Sequence, residues 1–171
     1  MKRIPYIYII LWPYVTYLTL NLILEKFSMN QQGIIMMLVA VAVYSLIAAG
    51  AMISGMVIST FKLSVKEASI WNLIIKLLHL PAHAACFLLF CGMMNPFLML
   101  LSWLPAIASI PLQFVSATTN VGTCINCRKN KKMETKTVVI FALLSYLYII
   151  DIIIAVIQVV LICRKKEATS E

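Results

Sequence analysis

The stretch 33–61 contains no charged residue and is apolar along most of its length. A transmembrane helix needs about 20 consecutive apolar residues, so this stretch is long enough to cross a bilayer with some tilt. Four further apolar runs occupy 4–24, 70–92, 97–119 and 137–163. The pattern predicts an all-α fold, an integral membrane helical bundle of five transmembrane helices that forms a single membrane domain over 1–171.

Composition argues against a soluble fold. Hydrophobic residues make up 63% of the chain and charged residues 12%, whereas soluble domains contain about 25% charged residues. With so few polar groups, much of the outer surface must be apolar, in agreement with a mean hydropathy of +0.98. Such a surface requires lipid around it, so the lipid bilayer is the first partner that the sequence predicts.

The third apolar run allows two interpretations. Polar residues recur along it at helical spacing and form one stripe on an otherwise apolar cylinder. One tilted span, bent near Pro81, is the simplest interpretation. An amphipathic helix that lies in the membrane interface is the alternative, and it would leave four spans. The remaining segments are a basic loop at 120–136 and a short polar tail at 164–171.

The net charge of +8 comes from lysine and arginine residues that flank the apolar runs. This placement encodes membrane topology and does not indicate a nucleic-acid partner. With five spans and a cytoplasmic N-terminus, the inner segments hold nine of these residues and the outer segments hold four. The sequence therefore predicts a cell-membrane protein with its N-terminus in the cytoplasm. The basic residues of the tail oppose this orientation, because five spans put the tail outside.

Small residues recur at helical spacing along the second run. They are Ala48, Ala51, Gly55 and Ser59. A stripe of this kind lets two helix backbones approach closely in lipid, where no hydrophobic effect drives helices together. We expect a packing face within the chain. A contact with a second copy of the chain, or with another membrane protein, is the alternative.

Five polar side chains are predicted to lie at membrane depth: Lys76, His79, His83, Asp151 and Gln158. A carboxylate near the bilayer centre costs about 3 kcal/mol or more unless it is paired or hydrated. Counting along the spans at about 1.5 Å per residue puts both histidines near the depth of Asp151. We therefore predict a contact between Asp151 and one of them, with Lys76 shallower but long enough to reach. Such a contact would serve as a clasp between helices or as a proton or ion relay.

Cys124 and Cys127 form a CxxC motif beside basic residues, which favour a thiolate. The layout resembles that of membrane thiol-oxidising enzymes, which are small helical bundles with a CxxC pair and a bound quinone. Members of that family also use a second cysteine pair on the same side of the membrane. Cys86 and Cys91 lie in the third apolar run and are not placed as such a pair, so the two thiols of the CxxC motif are redox candidates on their own.

His79 and His83 have the helical spacing of two metal ligands. A metalloprotease helix would carry a glutamate directly after the first histidine, and this chain has Leu80 there, followed by Pro81. The sequence contains no glycine-rich nucleotide loop and no serine-centred nucleophile motif. It therefore predicts no metal site, no cofactor and no catalytic residue.

The segment 72–83, which reads NLIIKLLHLPAH, resembles a segment that is common in small uncharacterised multi-pass membrane proteins of bacteria. The resemblance implies a membrane location and no particular activity. We expect a non-enzymatic accessory or interaction protein of the membrane. One alternative is a small transporter or proton-coupled carrier that uses Asp151 with His79 or His83. The other is a membrane thiol oxidoreductase that uses Cys124 and Cys127.

Overall fold

The computed structural model describes residues 4–27, 31–92 and 103–167, and this part of the chain is α-helical apart from short turns. Its helices are α1 (Ile4–Phe27), α2 (Gln31–Phe61), α3 (Val65–Gly92), α4 (Trp103–Lys129), α5 (Thr135–Leu144) and α6 (Tyr148–Glu167). The predicted all-α class is confirmed for these residues. By length and composition, α1, α2 and α3 are able to cross a membrane.

The first two helices form an antiparallel pair. Tyr6, near the start of α1, donates its hydroxyl hydrogen to the carbonyl of Gly55, near the end of α2, at 3.1 Å. Later on α1 and earlier on α2, the hydroxyl oxygens of Thr19 and Tyr44 lie 2.9 Å apart. The start of α1 therefore lies level with the end of α2.

The small-residue stripe of α2 faces the interior of the chain. Ala48, Gly55 and Ser59 are buried and Ala51 is half-buried. A Cβ atom at Gly55 would lie 2.8 Å from the Cδ1 atom of Ile9 on α1. The stripe therefore packs against other helices of the same chain.

Gly122 lets α4 approach α2 closely. A Cβ atom at this position would lie 2.8 Å from the carbonyl oxygen of Met56 and 3.1 Å from its Cα atom, so a larger residue would push two backbones apart. Thr60 of α2 donates its hydroxyl hydrogen to the Gly122 carbonyl at 3.3 Å. Gly122 lies in the segment predicted as a loop, where a glycine that packs two helices is not expected.

The loop predicted at 120–136 is shorter in the structure, because α4 continues to Lys129 and the turn occupies 130–134. Three polar residues of this segment, Asn120, Thr123 and Asn126, face the interior and bond other helices. Asn126, for example, donates to the carbonyls of Ser59 and Leu63 at 2.6 and 3.0 Å. Residues 97–102 of the fourth predicted span and 168–171 of the tail lie outside the described residues.

The last apolar run, predicted as one span over 137–163, is broken at 145–147 into α5 and α6. Ser145 is fully buried at this turn. Its carbonyl oxygen accepts a hydrogen bond of 2.8 Å from Nε2 of Gln113 on α4. The side chain of Gln113 therefore satisfies a backbone carbonyl at the turn.

The two helices on either side of the break fold into a hairpin. α5 runs antiparallel to α4, because Asn120 bonds the carbonyl of Phe141 while Gln113, earlier on α4, bonds that of Ser145. α6 then returns antiparallel to α3. Its contacts with α3 follow in reversed order, namely Lys76 with Asp151, Asn72 with Gln158, and Val65 with the cluster that contains Ile162.

Both ends of this hairpin lie at one end of the molecule. Met133 and Val138 pack there with Ile162 of α6 and Val65 of α3. The segments that meet at this end are 61–65, 126–138 and 162–167, and we call it the basic end. The start of α1 lies at the basic end too, since it is level with the end of α2.

Large apolar side chains cover much of the outer surface. On α2, Leu46 is 75% exposed and Leu38 is 66% exposed. The interior instead combines two apolar clusters with an unusual share of polar side chains. Polarity is thus distributed in the opposite way to a soluble protein, in which polar groups cover the surface.

Candidate functional site

An ion pair lies where α3, α4 and α6 meet. The Nζ atom of Lys76 on α3 contacts Oδ2 of Asp151, which lies in the first turn of α6. Ser116 of α4 joins the pair, because its hydroxyl donates to Oδ2 at 3.2 Å and accepts from Nζ at 3.4 Å. These three residues are named the charged cluster.

Both charged side chains are withdrawn from the surface: Lys76 and Asp151 are each 2% exposed. Lys76 therefore takes the place that the sequence analysis assigned to a histidine. The prediction of an Asp151 contact with His79 or His83 is not what the structure contains. The reason is the hairpin, which puts Asp151 at the start of a helix that returns along α3 and within reach of the long lysine side chain.

His79 has a different partner, which is explained by a proline. In α1 the carbonyl of Ile9 would normally accept a hydrogen bond from residue 13, but Pro13 has no N–H. Nε2 of His79 lies 2.8 Å from this carbonyl oxygen and donates to it. The histidine therefore compensates for the break in α1 and ties α3 to α1.

Two atoms beside the charged cluster have no hydrogen-bond partner within the described part of the chain: Oδ1 of Asp151 and Nδ1 of His79. Both residues line a narrow cleft, together with His83 and Gln113. Because Nε2 of His79 carries the hydrogen that Ile9 accepts, Nδ1 of the neutral ring is an acceptor. The side chain of Gln113 also lies within hydrogen-bonding range of the Asp151 carboxylate. Both acceptor atoms are fully buried and the cleft has no room for a water molecule, so a solute could reach them only if the surrounding helices moved apart.

The position of Asp151 in the first turn of α6 is electrostatically favourable. The unpaired N–H groups at a helix start carry a partial positive charge, which stabilises a nearby carboxylate. The turn at 145–147 creates this helix start inside the molecule. The interruption of the helix at 145–147 therefore provides the helix N-terminus that stabilises the buried carboxylate of Asp151.

A second polar cluster lies between the charged cluster and the basic end. Nδ2 of Asn72 donates to Oδ1 of Asn120 at 2.8 Å and to Oε1 of Gln158 at 3.4 Å. Thr119 donates to Oδ1 of Asn72 at 3.2 Å, and Nε2 of Gln158 donates to Sγ of Cys124 at 2.9 Å. These residues are named the amide cluster.

The sequence analysis included Gln158 among its candidates but missed the other members of the amide cluster. Asn72 lies on the polar stripe of α3, which was the one signal that pointed to it. Asn120 and Thr119 lie at the boundary of the predicted loop. Their burial depends on bonds to other helices, which the sequence does not encode locally.

The two cysteines of the CxxC motif lie inside α4 and not in a loop, and both are 0% exposed. A redox thiol has to reach its partner, so complete burial is unsuited to thiol exchange. Within the described residues, Cys86 is half-buried and Cys91 is exposed, and neither is bonded to another cysteine.

Over residues 4–27, 31–92 and 103–167, no three side chains of His, Cys, Asp or Glu converge in a way that would hold a metal ion. The chain matches no protein-family model, and no curated protein or solved structure is significantly similar to it. Functional inference therefore starts from the geometry of the charged cluster.

Proposed function

We propose that the chain is a multi-pass membrane protein with four spans and a re-entrant hairpin formed by α5 and α6. The spans are α1 to α3, which are apolar and long enough to cross a membrane, and α4, whose 27 residues make it about 40 Å long. The apolar outer surface supports this proposal, since exposed apolar area of this extent is suited to lipid. With its 10 residues, α5 is about 15 Å long. That length is half the thickness of the hydrocarbon core, which is about 30 Å.

Charge asymmetry supports the same topology. Twelve of the 14 lysine and arginine residues lie in, or next in sequence to, segments at the basic end: Lys2, Arg3, Lys62, Lys66, Arg128, Lys129, Lys131, Lys132, Lys136, Arg164, Lys165 and Lys166. The other two are Lys26, at the opposite end of α1, and the buried Lys76. By the positive-inside rule the basic end faces the cytoplasm. The basic tail, which opposed five spans, agrees with this arrangement.

Within this topology, we infer that the protein is a carrier for a small polar solute or ion. The observation that supports this function most directly is the buried charged cluster at the turn of the hairpin. A buried ion pair contributes little net stability compared with an apolar replacement. Ionisable residues at membrane depth usually mark a solute or proton pathway, and many transporters build their site at the start of a broken helix.

The ion pair favours a carrier over a non-enzymatic accessory or interaction protein, because neutral amide bonds such as those of the amide cluster hold helices together without burying a charge. The buried cysteines give no support to the thiol oxidoreductase.

The test of this function is whether water reaches the cleft. In a cysteine-free chain reconstituted into liposomes, we would introduce His83→Cys and measure its labelling by a positively charged, membrane-impermeant thiosulfonate. Ile75→Cys is the matched control, since Ile75 lies on the same helix but is 0% exposed within the apolar core.

The carrier predicts that position 83 is labelled while position 75 is protected. Protection of both positions would contradict the carrier and favour a dry structural clasp. Labelling of both would mean that the variants are not folded as the structure is, and a thermal unfolding curve of each variant checks this.

A further inference from the structure

One side of α2 is exposed and apolar up to the end of the helix. Four large apolar residues on it are between 43% and 75% exposed, and one exposed glycine lies among them. Because these five residues recur every three or four positions, they lie on one face of the helix. We call this face the outer stripe, and its residues are Leu46, Gly50, Ile53, Val57 and Phe61.

Gly50 leaves a gap in the outer stripe. A Cβ atom at this position would meet no described atom within 4 Å, whereas a Cβ atom at Gly55 would collide with Ile9. Gly50 therefore does not bring two described helices of this chain together, although a glycine weakens the helix that contains it. The gap leaves room on the outer surface for part of a flexible acyl chain.

Positive side chains lie where the outer stripe ends. Nζ of Lys129, the last residue of α4, lies 4.1 Å from the centroid of the Phe61 ring, which is a cation–π contact. Lys62 follows Phe61 in the turn after α2, and both lysines are exposed. Two cations therefore lie at the ends of neighbouring helices, beside the last residue of the outer stripe.

The length of the outer stripe matches one leaflet of a bilayer. From Gly50 to Phe61 the helix rises by about 16 Å, and half of the hydrocarbon core is about 15 Å thick. A phospholipid whose acyl chain lies along this part of α2 therefore has its phosphate at the level of Lys62 and Lys129. A basic site between helix ends on the cytoplasmic side is typical of sites for anionic lipid headgroups.

We propose that the outer stripe binds one anionic phospholipid of the cytoplasmic leaflet, with its phosphate at Lys62 and Lys129. The segments 61–65, 126–138 and 162–167 of the basic end, together with Lys66 and Glu67, contain ten basic and three acidic residues, a net charge of +7. This charge favours an anionic over a zwitterionic headgroup. A second copy of the chain on the same face would bring like charges together. The inference rests on the proposed membrane topology and goes beyond the carrier.

The experiment is native mass spectrometry of the full-length protein in detergent, titrated with phosphatidylglycerol or with phosphatidylcholine that has the same acyl chains. We expect one phosphatidylglycerol molecule to bind at least about tenfold more tightly than phosphatidylcholine. Lys62→Gln with Lys129→Gln should weaken phosphatidylglycerol binding about thirtyfold, which is about fivefold for each lysine.

Lys131→Gln with Lys136→Gln is the matched control. It removes the same charge from exposed positions in the turn after α4 and at the start of α5, and it should weaken binding less than about threefold. Equal losses in the two double variants, or equal affinity for the two lipids, would overturn the lipid site.

Gly50→Leu tests the position of the acyl chain. A side chain at this position meets no described atom, so thermal unfolding should not change, while phosphatidylglycerol affinity should fall about fivefold because the gap is filled. Unchanged affinity would overturn the placement of the acyl chain on the outer stripe. A dimer that Gly50→Leu dissociates would assign this face to a second copy instead. The carrier fails by a different measurement, the protection of position 83.

Discussion

The charged cluster and the amide cluster lie between the same three helices, yet they differ in how their hydrogen bonds are satisfied. In the amide cluster, Asn72 bonds both Asn120 and Gln158, and Gln158 bonds Cys124 in turn. In the charged cluster, one carboxylate oxygen of Asp151 has no hydrogen-bond partner in the described part of the chain. The neutral cluster is closed, whereas the charged cluster retains an unsatisfied acceptor that lines the cleft.

This difference suggests a separate role for each cluster. Neutral amides that bond one another fix the register of α3, α4 and α6 at modest cost. A buried ion pair costs more and is not needed for the same purpose. We therefore expect the amide cluster to position the helices and, under the proposed carrier function, the charged cluster to bind the solute, and the following variants test that assignment.

The largest effect is expected when one charge is removed. Asp151→Leu leaves the Lys76 ammonium buried without a counter-ion, and Lys76→Met leaves the carboxylate in the same state. Each should lower the free energy of unfolding by about 3–5 kcal/mol, measured by denaturation in detergent. A loss below 1 kcal/mol in both variants would contradict the burial of the pair.

A smaller loss is expected in the amide cluster. Asn72→Leu removes the donor to Asn120 and the acceptor for Thr119, and unsatisfied buried groups of this kind cost about 1–3 kcal/mol. Thr118→Val is the control, because among the described residues the Thr118 hydroxyl bonds only the carbonyl of Phe114 on its own helix. A loss within about 0.5 kcal/mol is expected. Equal losses would mean that the amide bonds do not position the helices.

The smallest change in stability is expected for the double variant Lys76→Met with Asp151→Leu. Removing both charges leaves no uncompensated ion, so unfolding should return to within about 1 kcal/mol of the original chain. A double variant that unfolds as readily as either single variant would contradict the pairing of the two charges.

The sequence predicted the helical class because apolar runs of this length form helices whatever their neighbours. It also predicted that Asp151 needs a partner, because the cost of burying a carboxylate follows from the residue type and its position in an apolar run. The identity of that partner was not predictable, because it depends on where α6 begins. The segment 142–151 contains neither proline nor glycine, so nothing local marks the break.

The hairpin turn is stabilised from another helix, by the bond from Gln113 to the Ser145 carbonyl. Tertiary information of this kind is absent from a hydropathy profile, which cannot distinguish one span from two helices folded back. The same limit explains the shortened loop. The sequence alone predicts that Asn126 lies in a loop, because its bonds to the carbonyls of Ser59 and Leu63 are tertiary contacts.

The re-entrant hairpin is the central claim. Its most direct test is to determine on which side of the membrane the two ends of the hairpin lie. In a cysteine-free chain, Lys136→Cys marks the start of α5, Lys26→Cys marks the end of α1, and Cys163, retained alone, marks the end of α6. Each single-cysteine protein would be treated with an impermeant maleimide in intact and in permeabilised bacterial cells.

The hairpin predicts that positions 136 and 163 are labelled only after permeabilisation, while position 26 is labelled in intact cells. Labelling of Cys163 in intact cells, with position 136 protected, would mean that the last apolar run crosses the membrane, and it would contradict the account.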